Sequence, residues 1–377
     1  MRTKATELVG IDLPIFAFSH CRDVVAAVTN AGGMGVLGAV AHSPEQLAID
    51  LDWIEDEVKG KPYGVDLLVP EKYAGADEGG LTPTQLTDLL PEEHKAYVDD
   101  ILERYDVPPM PEGLEVRRGI GGMRIDPKSM APLLDVLFDH RPSLVASALG
   151  PPPPHFLERA HSHDIPVAAL AGNLDHARRH AEAGADMIVA QGTEAGGHTG
   201  LVATMVLVPE VVDAVAPLPV LAAGGIARGR QLAAGLALGA DGVWCGSVWL
   251  TTEEAETPPS VKSKFLAAGS SDTVRSRSMT GKPARMLRTA WTDEWENPEG
   301  PGPLPMPMQP ILIGPALQRL ARVADTEGSG GQKLVTYFVG QVVGAMNTVK
   351  PTRRVVLEMV EEFIDAVDRL DTLTHTD

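Results

Sequence analysis

Short apolar runs alternate with amphipathic helical segments along most of the chain, and this alternation constrains the fold more than any other feature. Strands that alternate with helices form parallel βαβ units, and eight units in about 250 residues are typical of a (β/α)8 TIM barrel. A doubly wound open sheet is the alternative, but no Gly-x-Gly-x-x-Gly directly follows the first strand. The eight predicted strands are 13–18, 35–39, 62–68, 143–149, 166–170, 187–190, 219–223 and 242–246.

Two regions interrupt the strand-helix rhythm. Residues 70–128 are rich in acids, proline and glycine, and they predict a long insertion after strand 3 that forms either a lid over the barrel or a disordered surface excursion. Residues 258–333 contain helical patterns and a proline-rich stretch, and they predict a small helical cap domain after strand 8. The barrel would then comprise residues 1–257 and 334–377, with a C-terminal amphipathic helix packed on its body.

Charge and composition exclude several function classes. The formal net charge is −19 at pH 7, which disfavours binding to nucleic acid and to anionic membrane surfaces. The two cysteines, Cys21 and Cys245, have no spacing typical of a disulfide framework or a zinc site. Neither a signal peptide nor an apolar run of membrane-spanning length is found. The chain is therefore expected to be a reduced cytoplasmic protein.

Glycine clusters follow the seventh and eighth predicted strands. The first contains Gly224 and Gly225, and the second contains Gly246 and Ser247. In TIM barrels the loops after these two strands often bind phosphate through backbone N–H groups, and glycine lets the backbone approach the oxygens. The Ser247 hydroxyl could add a donor. The alternative is that Gly224 and Gly225 only end a strand.

A single histidine lies in the glycine-rich loop after the sixth strand. Residues 190–200 read AQGTEAGGHTG, and four glycines in these eleven residues favour an open backbone. Gln191 offers an amide donor and acceptor, while Gly196 and Gly197 let the loop run against a flat ring. His198 is the predicted catalytic base, because histidine titrates near neutrality. The preferred interpretation of Glu194 is a carboxylate that caps backbone N–H groups, and the alternative is a second acid or base.

Four segments resemble the nitronate monooxygenase family, formerly called 2-nitropropane dioxygenases. They read QGTEAGGHTG, AAGGIARGRQ, GADGVWCGS and VTNAGGMGVLGA. The resemblance runs from about Gly10 to the helix near Val355 and is weakest across 70–128 and 258–330. The EAGGH motif also occurs in the wider group of FMN-dependent enoyl-ACP reductases and NAD(P)H:quinone reductases.

The resemblance implies FMN in the mouth of the barrel. Its phosphate would lie on the two glycine loops, its ring would contact Gln191, Gly196 and Gly197, and His198 would be the base over the substrate. The family carries Asn in a Gly-x-Asn pattern after strand three, where this chain has Asp66. An Ala-Pro-Met stretch usually ends strand one and contacts the flavin, whereas this chain has FAFS. Ala17 and Phe18 are therefore assigned to the flavin site by their position only.

Several other side chains have two interpretations each. His20 is either a titratable group at the barrel mouth or a helix-entry residue. Cys245 is interpreted as a small buried apolar residue, and a nucleophile is the alternative. Arg117 and Arg118 could meet an anionic substrate, although a solvated pair is preferred. No metal site is predicted, because no cluster of histidines and carboxylates has ligand spacing.

The favoured function is oxidation of alkyl nitronates with O2 to a carbonyl compound and nitrite. The first alternative keeps FMN and uses NAD(P)H to reduce a quinone or an enoyl thioester. Two more distant alternatives are a flavin-free barrel enzyme acting on sugar phosphates or nucleotides, and a non-catalytic binding protein. The expected partners are a small-molecule substrate, O2 and, in the first alternative, NAD(P)H. Because barrels of this kind often pair, a homodimer is among the expected assemblies.

Overall fold

Eight parallel strands close into a barrel in the computed structural model, which describes residues 1–67, 83–111, 127–148 and 150–374. Each predicted strand overlaps an observed one, with ends that differ by at most two residues. The prediction of a (β/α)8 TIM barrel is therefore confirmed. The barrel strands are β1 (Ile15–Ser19), β2 (Met34–Gly38), β3 (Gly64–Leu67), β4 (Leu144–Ser147), β5 (Val167–Ala171), β6 (Met187–Gln191), β8 (Val220–Ala223) and β9 (Gly242–Cys245).

Helices surround the barrel, and the sequence sets many of their ends. The Ser43 side chain accepts a hydrogen bond from the Gln46 N–H, and Asn173 does the same for His176, as N-caps do. Gly184 ends a helix with a φ of 104°, which favours glycine. The helices before residue 250 are α1 (Lys4–Val9), α2 (Arg22–Asn30), α3 (Pro44–Val58), α4 (Pro83–Asp88), α5 (Glu92–Arg104), α6 (Pro127–His140), α7 (Pro154–Ser162), α8 (Leu174–Ala183), α9 (Thr204–Val215) and α10 (Gly229–Ala237).

Strand alternation divides the barrel residues into an inner and an outer set. Outward side chains such as Ile15, Val65 and Ile188 pack against the helices in two large apolar clusters. Inward side chains fill the barrel, which is therefore a packed core rather than a pore. The inner set includes Phe16, Met34, Val36, Leu144, Ala146, Ala168, Met187, Val189, Leu221 and Trp244.

A small antiparallel sheet lies beside the barrel and joins it to a second lobe. Its strand order is β10, β11, β7, in which β7 belongs to the loop after β6. Residues 258–333 were expected to be helical, and this expectation is wrong for the β10–β11 hairpin. The elements are β7 (Gly197–His198), β10 (Thr273–Ser276), β11 (Ala284–Leu287), α11 (Pro259–Ala267), α12 (Ala290–Trp295), α13 (Met308–Val323) and α14 (Gly330–Leu334).

The second lobe, defined as residues 83–107 and 273–334, is built from two distant parts of the chain. Its apolar core buries Trp291 and Trp295 against Ile101 of α5 and Ile313 of α13. Residues 68–82 and 112–126 of the predicted lid lie outside the described residues, as do Arg117 and Arg118. The described part, 83–111, forms α4, α5 and the chain that follows them.

The last helix, α15 (Thr352–Thr374), occupies the eighth helical position around the barrel. It packs against α10 and α2, and it buries Val356 and Met359. This arrangement agrees with the predicted amphipathic helix on the body. Among the described residues, none of the helices combines the length and the apolar character that crossing a membrane requires.

Candidate active site

The carboxyl ends of the barrel strands bring the predicted site residues to one mouth. Asp66 at the end of β3 and Gln191 at the end of β6 face inward, because their neighbours Val65 and Ala190 pack outward. Phe18 packs with the inner set and stacks near Trp244. Ala17 is fully buried in the outer apolar cluster, so only its backbone can face a ligand in the mouth.

The glycine loop after β8 presents free backbone donors. Gly224 and Gly225 have φ angles of 102° and 69°, a region that favours glycine. A Cβ on Gly224 would lie 2.8 Å from the Thr204 hydroxyl oxygen, so a side chain there would disrupt the loop. Across the described chain, no partner is found for the N–H groups of Gly224, Gly225 and Ile226. Consecutive N–H groups of this kind form a concave anion site.

The loop after β9 adds further hydrogen-bond donors beside the glycine loop after β8. Gly246 precedes a short 3-10 helix, and its N–H also has no partner within the described residues. The Ser247 hydroxyl accepts a hydrogen bond from the Gly340 N–H at 2.8 Å, so its own proton remains free to be donated. The structure thus brings together both glycine clusters that the sequence predicts.

The hairpin β10–β11 holds the loop that carries His198. β7 pairs with β11, with His198 opposite Ala284. From the hairpin, the guanidinium of Arg285 donates to the Thr193 carbonyl at 2.8 Å, and that of Arg275 donates to the Thr199 carbonyl at 3.0 Å. Both ends of the histidine loop are therefore tied to the second lobe by charge-assisted hydrogen bonds.

Close backbone packing explains one of the two loop glycines. A Cβ on Gly196 would lie 2.8 Å from the Gly340 nitrogen and from the Val339 carbonyl carbon. Gly197 has a φ of 77°, and a Cβ there would meet no atom within 4 Å. Gly196 is thus required by contact with the 339–340 backbone, while Gly197 is required by its conformation and leaves open space beside His198.

The environment of His198 keeps its imidazole neutral at physiological pH. Burial, with a smaller contribution from the Lys282 charge, lowers the pKa of His198 to about 4. Its Nε2 lies 2.8 Å from the Thr280 hydroxyl oxygen, and its ring centroid lies 6.2 Å from that of Phe338. A neutral imidazole with one nitrogen held by a hydroxyl can accept a proton on the other nitrogen.

Glu194 acts as a cap, in agreement with the preferred interpretation. Its carboxylate accepts hydrogen bonds from the Thr204 N–H at 3.0 Å and from the Thr204 hydroxyl at 2.8 Å, at the start of α9. The Thr204 oxygen also lies 3.0 Å from the Gly224 carbonyl oxygen. The histidine loop and the β8 glycine loop are therefore linked through one threonine.

Asp66 is a buried carboxyl group at the mouth. The residue is 6 % exposed, and burial raises the pKa of Asp66 to about 8. No hydrogen bond or ion pair of its side chain is found among the described residues. At pH 7 the group is therefore predominantly an uncharged carboxylic acid, not the charged carboxylate that its residue type would suggest.

His20 and the two cysteines are the remaining titratable side chains considered for the site. His20 Nδ1 donates to the Gly38 carbonyl at 2.7 Å, so the neutral ring keeps Nε2 as an acceptor, and burial lowers its pKa. Cys245 faces the outer apolar cluster, where burial raises its pKa to about 12, so it is an inert thiol as predicted. Cys21 donates to the Glu254 carbonyl at 3.0 Å.

Two groups of potential metal ligands come together in space although their sequence spacing gave no signal. Each group holds its ligand atoms within 4.8 Å of one another. In the first group burial raises the Cys21 pKa, so a metal would have to displace the thiol proton at a greater cost. The second group lies outside the barrel, on α3 and α6. The groups are Cys21, Asp23 and Glu256, and Asp52, Glu55 and His140.

Three site residues lie in a region where the sequence gave no functional signal. Thr280, Arg285 and Phe338 all approach the histidine loop, although 82 or more residues separate each from its partner there. Threonine and arginine are common surface residues, and the antiparallel pairing of β7 with β11 brings Thr280 and Arg285 to the site. Phe338 reaches it through a β-bridge with Met286 of β11. A single sequence contains no local pattern for such a contact.

Comparison with known proteins agrees with this geometry. The family model described as nitronate monooxygenase matches residues 3–362. A Mycobacterium tuberculosis protein named "Putative monooxygenase Rv1533" is 65 % identical over 375 residues, which cover 100 % of both chains. The solved structure of a nitroalkane oxidase from Streptomyces ansochromogenes is 28 % identical, with a TM-score of 0.78 over 97 % of this chain and 99 % of that one.

A second solved structure, FabK from Thermotoga maritima, is 27 % identical, with a TM-score of 0.73 over 99 % of each chain. The family model and the relatives thus span the barrel, the histidine loop and the second lobe together. The chain therefore belongs to the nitronate monooxygenase family and is an enzyme, an oxidoreductase of the nitronate monooxygenase type.

Proposed function

We propose that this protein is an FMN-dependent nitronate monooxygenase in which His198 is the base. The observation that carries the proposal is the neutral, half-buried imidazole of His198 beside a mouth with free backbone donors. The donors of Gly224, Gly225 and Gly246 fit a phosphate, because a Cβ on Gly224 would clash and the N–H groups lack other partners. Ser247 would add its hydroxyl proton.

The ring of the cofactor would lie between the phosphate loops and the histidine loop. Gln191, Gly197 and Asp66 would face its edge, and the backbone of Ala17 and the ring of Phe18 would border it. Gly196 would act indirectly, because its close approach to Gly340 fixes the loop. FMN supplies the electron transfer that histidine and threonine side chains cannot supply.

The residues of this chain would act on the proton and on the position of the substrate. With a neutral nitroalkane, His198 would remove the α-proton onto its free ring nitrogen; with a preformed nitronate, no proton needs to be removed. In the overall reaction two nitronate anions and one O2 give two carbonyl compounds and two nitrite anions.

The test compares the purified protein with its His198→Ala variant on matched substrates. We expect flavin absorbance in both, and bleaching of the wild-type bands when an alkyl nitronate is added anaerobically. With neutral nitroalkane the variant should lose about 10²–10⁴-fold in kcat/KM, the usual contribution of a general base. With preformed nitronate it should lose less than about tenfold, since no proton is transferred.

Other outcomes would assign the protein differently. Flavin bands that ignore nitronate but bleach with NAD(P)H would support the reductases that act on quinones or enoyl thioesters. Protein that binds no flavin after incubation with FMN would contradict the proposal altogether. Equal losses of kcat/KM on nitroalkane and on nitronate would show that His198 is not the base, without contradicting the proposal of FMN as cofactor.

A further inference from the structure

A carboxyl group buried without a partner in a ligand-binding mouth requires a physical explanation. Asp66 lies at the end of β3, opposite Gly38 of β2 and Ala146 of β4. Its neighbours Val65 and Leu67 pack outward against helices, so its side chain faces the interior of the barrel. It is 6 % exposed, and no described residue donates a hydrogen bond to it or pairs with it.

Among the described residues, no neighbouring group stabilises the charged form of the Asp66 carboxyl. Gly38 and Ala146 are apolar, and the β4 strand Leu144–Ser147 carries no titratable group. The titratable side chains in the chain that follows β1 and β2 are His20, whose Nδ1 donates to the Gly38 carbonyl, and His42, whose Nε2 lies 2.9 Å from an Asp50 carboxylate oxygen. Neither contributes to the pKa of Asp66, which burial alone raises.

An uncharged carboxyl differs from a carboxylate in one decisive property. The carboxylate only accepts hydrogen bonds, whereas the acid form also carries one O–H donor. A buried carboxyl that holds its proton at neutral pH can therefore donate a hydrogen bond to a ligand without placing a charge in the buried site. The flavin ring system bears acceptor oxygens and nitrogens along its edge, so its chemistry matches such a donor.

We propose that Asp66 is a neutral carboxylic acid that donates a hydrogen bond to the edge of the flavin ring, an inference that rests on the proposed function. The acid thereby supplies the donor that an asparagine amide would supply at this position. Two-electron reduction adds negative charge to the ring, which an O–H donor stabilises and a carboxylate would repel. Asp66 thus makes flavin affinity depend on pH, through loss of one proton from one side chain.

The test measures the dissociation constant of FMN against pH for the wild type and for Asp66→Asn, by titrating the flavin-free protein and following flavin fluorescence. If only the acid form binds, the wild-type constant scales as 1 + 10^(pH − pKa), so a pKa of about 8 gives a rise of about tenfold from pH 7 to pH 9. The asparagine variant keeps a neutral donor of similar size. The dissociation constant of FMN for Asp66→Asn should therefore not rise in this way. Any ionisation of the flavin itself affects both proteins equally, so the difference between the two curves reports on Asp66.

A second measurement needs neither a variant nor a ligand. Infrared spectroscopy of the flavin-free wild type should show a carboxylic-acid carbonyl band that persists at pH 7 and disappears as the pH rises through about 8. Absence of such a band at pH 7 would overturn the inference while leaving the proposed function intact. Parallel curves for the wild type and Asp66→Asn would also overturn it. A failure of both proteins to bind FMN would instead contradict the proposed function on which it rests.

Discussion

At the scale of single residues, Thr280 decides which nitrogen of His198 can act. The Thr280 hydroxyl lies 3.2 Å from the Lys282 carbonyl oxygen, which can only accept, so the hydroxyl donates there. Its oxygen then accepts the Nε2–H of His198 at 2.8 Å. This hydrogen-bond network favours the tautomer with the proton on Nε2, which would leave Nδ1 as the base.

Replacing Thr280 with valine should separate this tautomer effect from packing. Valine has a similar shape but accepts no hydrogen bond, so we expect kcat on neutral nitroalkane to fall about tenfold, the equivalent of one lost hydrogen bond. Thr280→Ser should restore most of the rate. Histidine ¹⁵N NMR gives the readout that a packing defect would not produce: the wild type should show the Nε2–H tautomer at pH 7, and the valine variant a mixture. An unchanged tautomer ratio would refute the role of Thr280.

Some of the residue-scale site follows from local sequence, and some does not. Gly224 and Gly225 were predictable because they lie immediately after β8, and His198 because it lies in the glycine-rich loop after β6, at the mouth where the strand ends meet. The protonated state of Asp66 was not predictable, because it depends on burial by neighbouring strands rather than on residue type.

At the scale of elements, the β10–β11 hairpin determines the geometry of the histidine loop. Arg285 is 8 % exposed and joins the Thr193 carbonyl to the Thr273 hydroxyl, at 2.8 and 3.0 Å. The hairpin was missed because each of its strands has only four residues and mixes apolar side chains with arginine, threonine or serine, so neither has the continuous apolar run of a barrel strand. The eight barrel strands were found because buried parallel strands are continuously apolar.

Arg285→Met tests whether the hairpin holds the loop. Methionine keeps the apolar stem but removes the guanidinium, which leaves the Thr193 carbonyl without its donor and should cost about 1–3 kcal/mol in the free energy of unfolding. Because His198 lies in the same loop, kcat should fall as well. Arg288→Met is the matched control: Arg288 follows β11, is exposed and pairs with Asp293, so neither quantity should change measurably. Equal effects of the two substitutions would show that the hydrogen bonds of Arg285 do not position the loop.

At the scale of the whole molecule, two lobes are joined by chain segments that cross between them. The second lobe takes α5 from the insertion after β3, and Arg104 of α5 forms an ion pair with Glu294 of α12 at 2.7 Å. A single sequence contains no pattern that pairs positions 190 residues apart, so the insertion could be located as an interruption but not assigned to its partner. The helix α15 returns the chain to the barrel and fills the gap between α10 and α2.

The contact of α15 with α10 gives the prediction for the whole molecule. A Cβ added to Gly229 would lie 1.9 Å from the Met359 carbonyl oxygen, so Gly229→Ala must push the two helices apart. We expect a loss of about 1–3 kcal/mol in the free energy of unfolding, the usual cost of overpacking, measured by denaturant titration.

The control is Gly235→Ala on the same helix, whose Cβ would meet Ala222 and Val243 at 3.4 and 3.5 Å. Those are ordinary contacts, so alanine there should leave stability unchanged or raise it by up to about 1 kcal/mol through helix propensity. If Gly229→Ala were as stable as Gly235→Ala, the close packing of α15 on α10 would not contribute measurably to the stability of the protein.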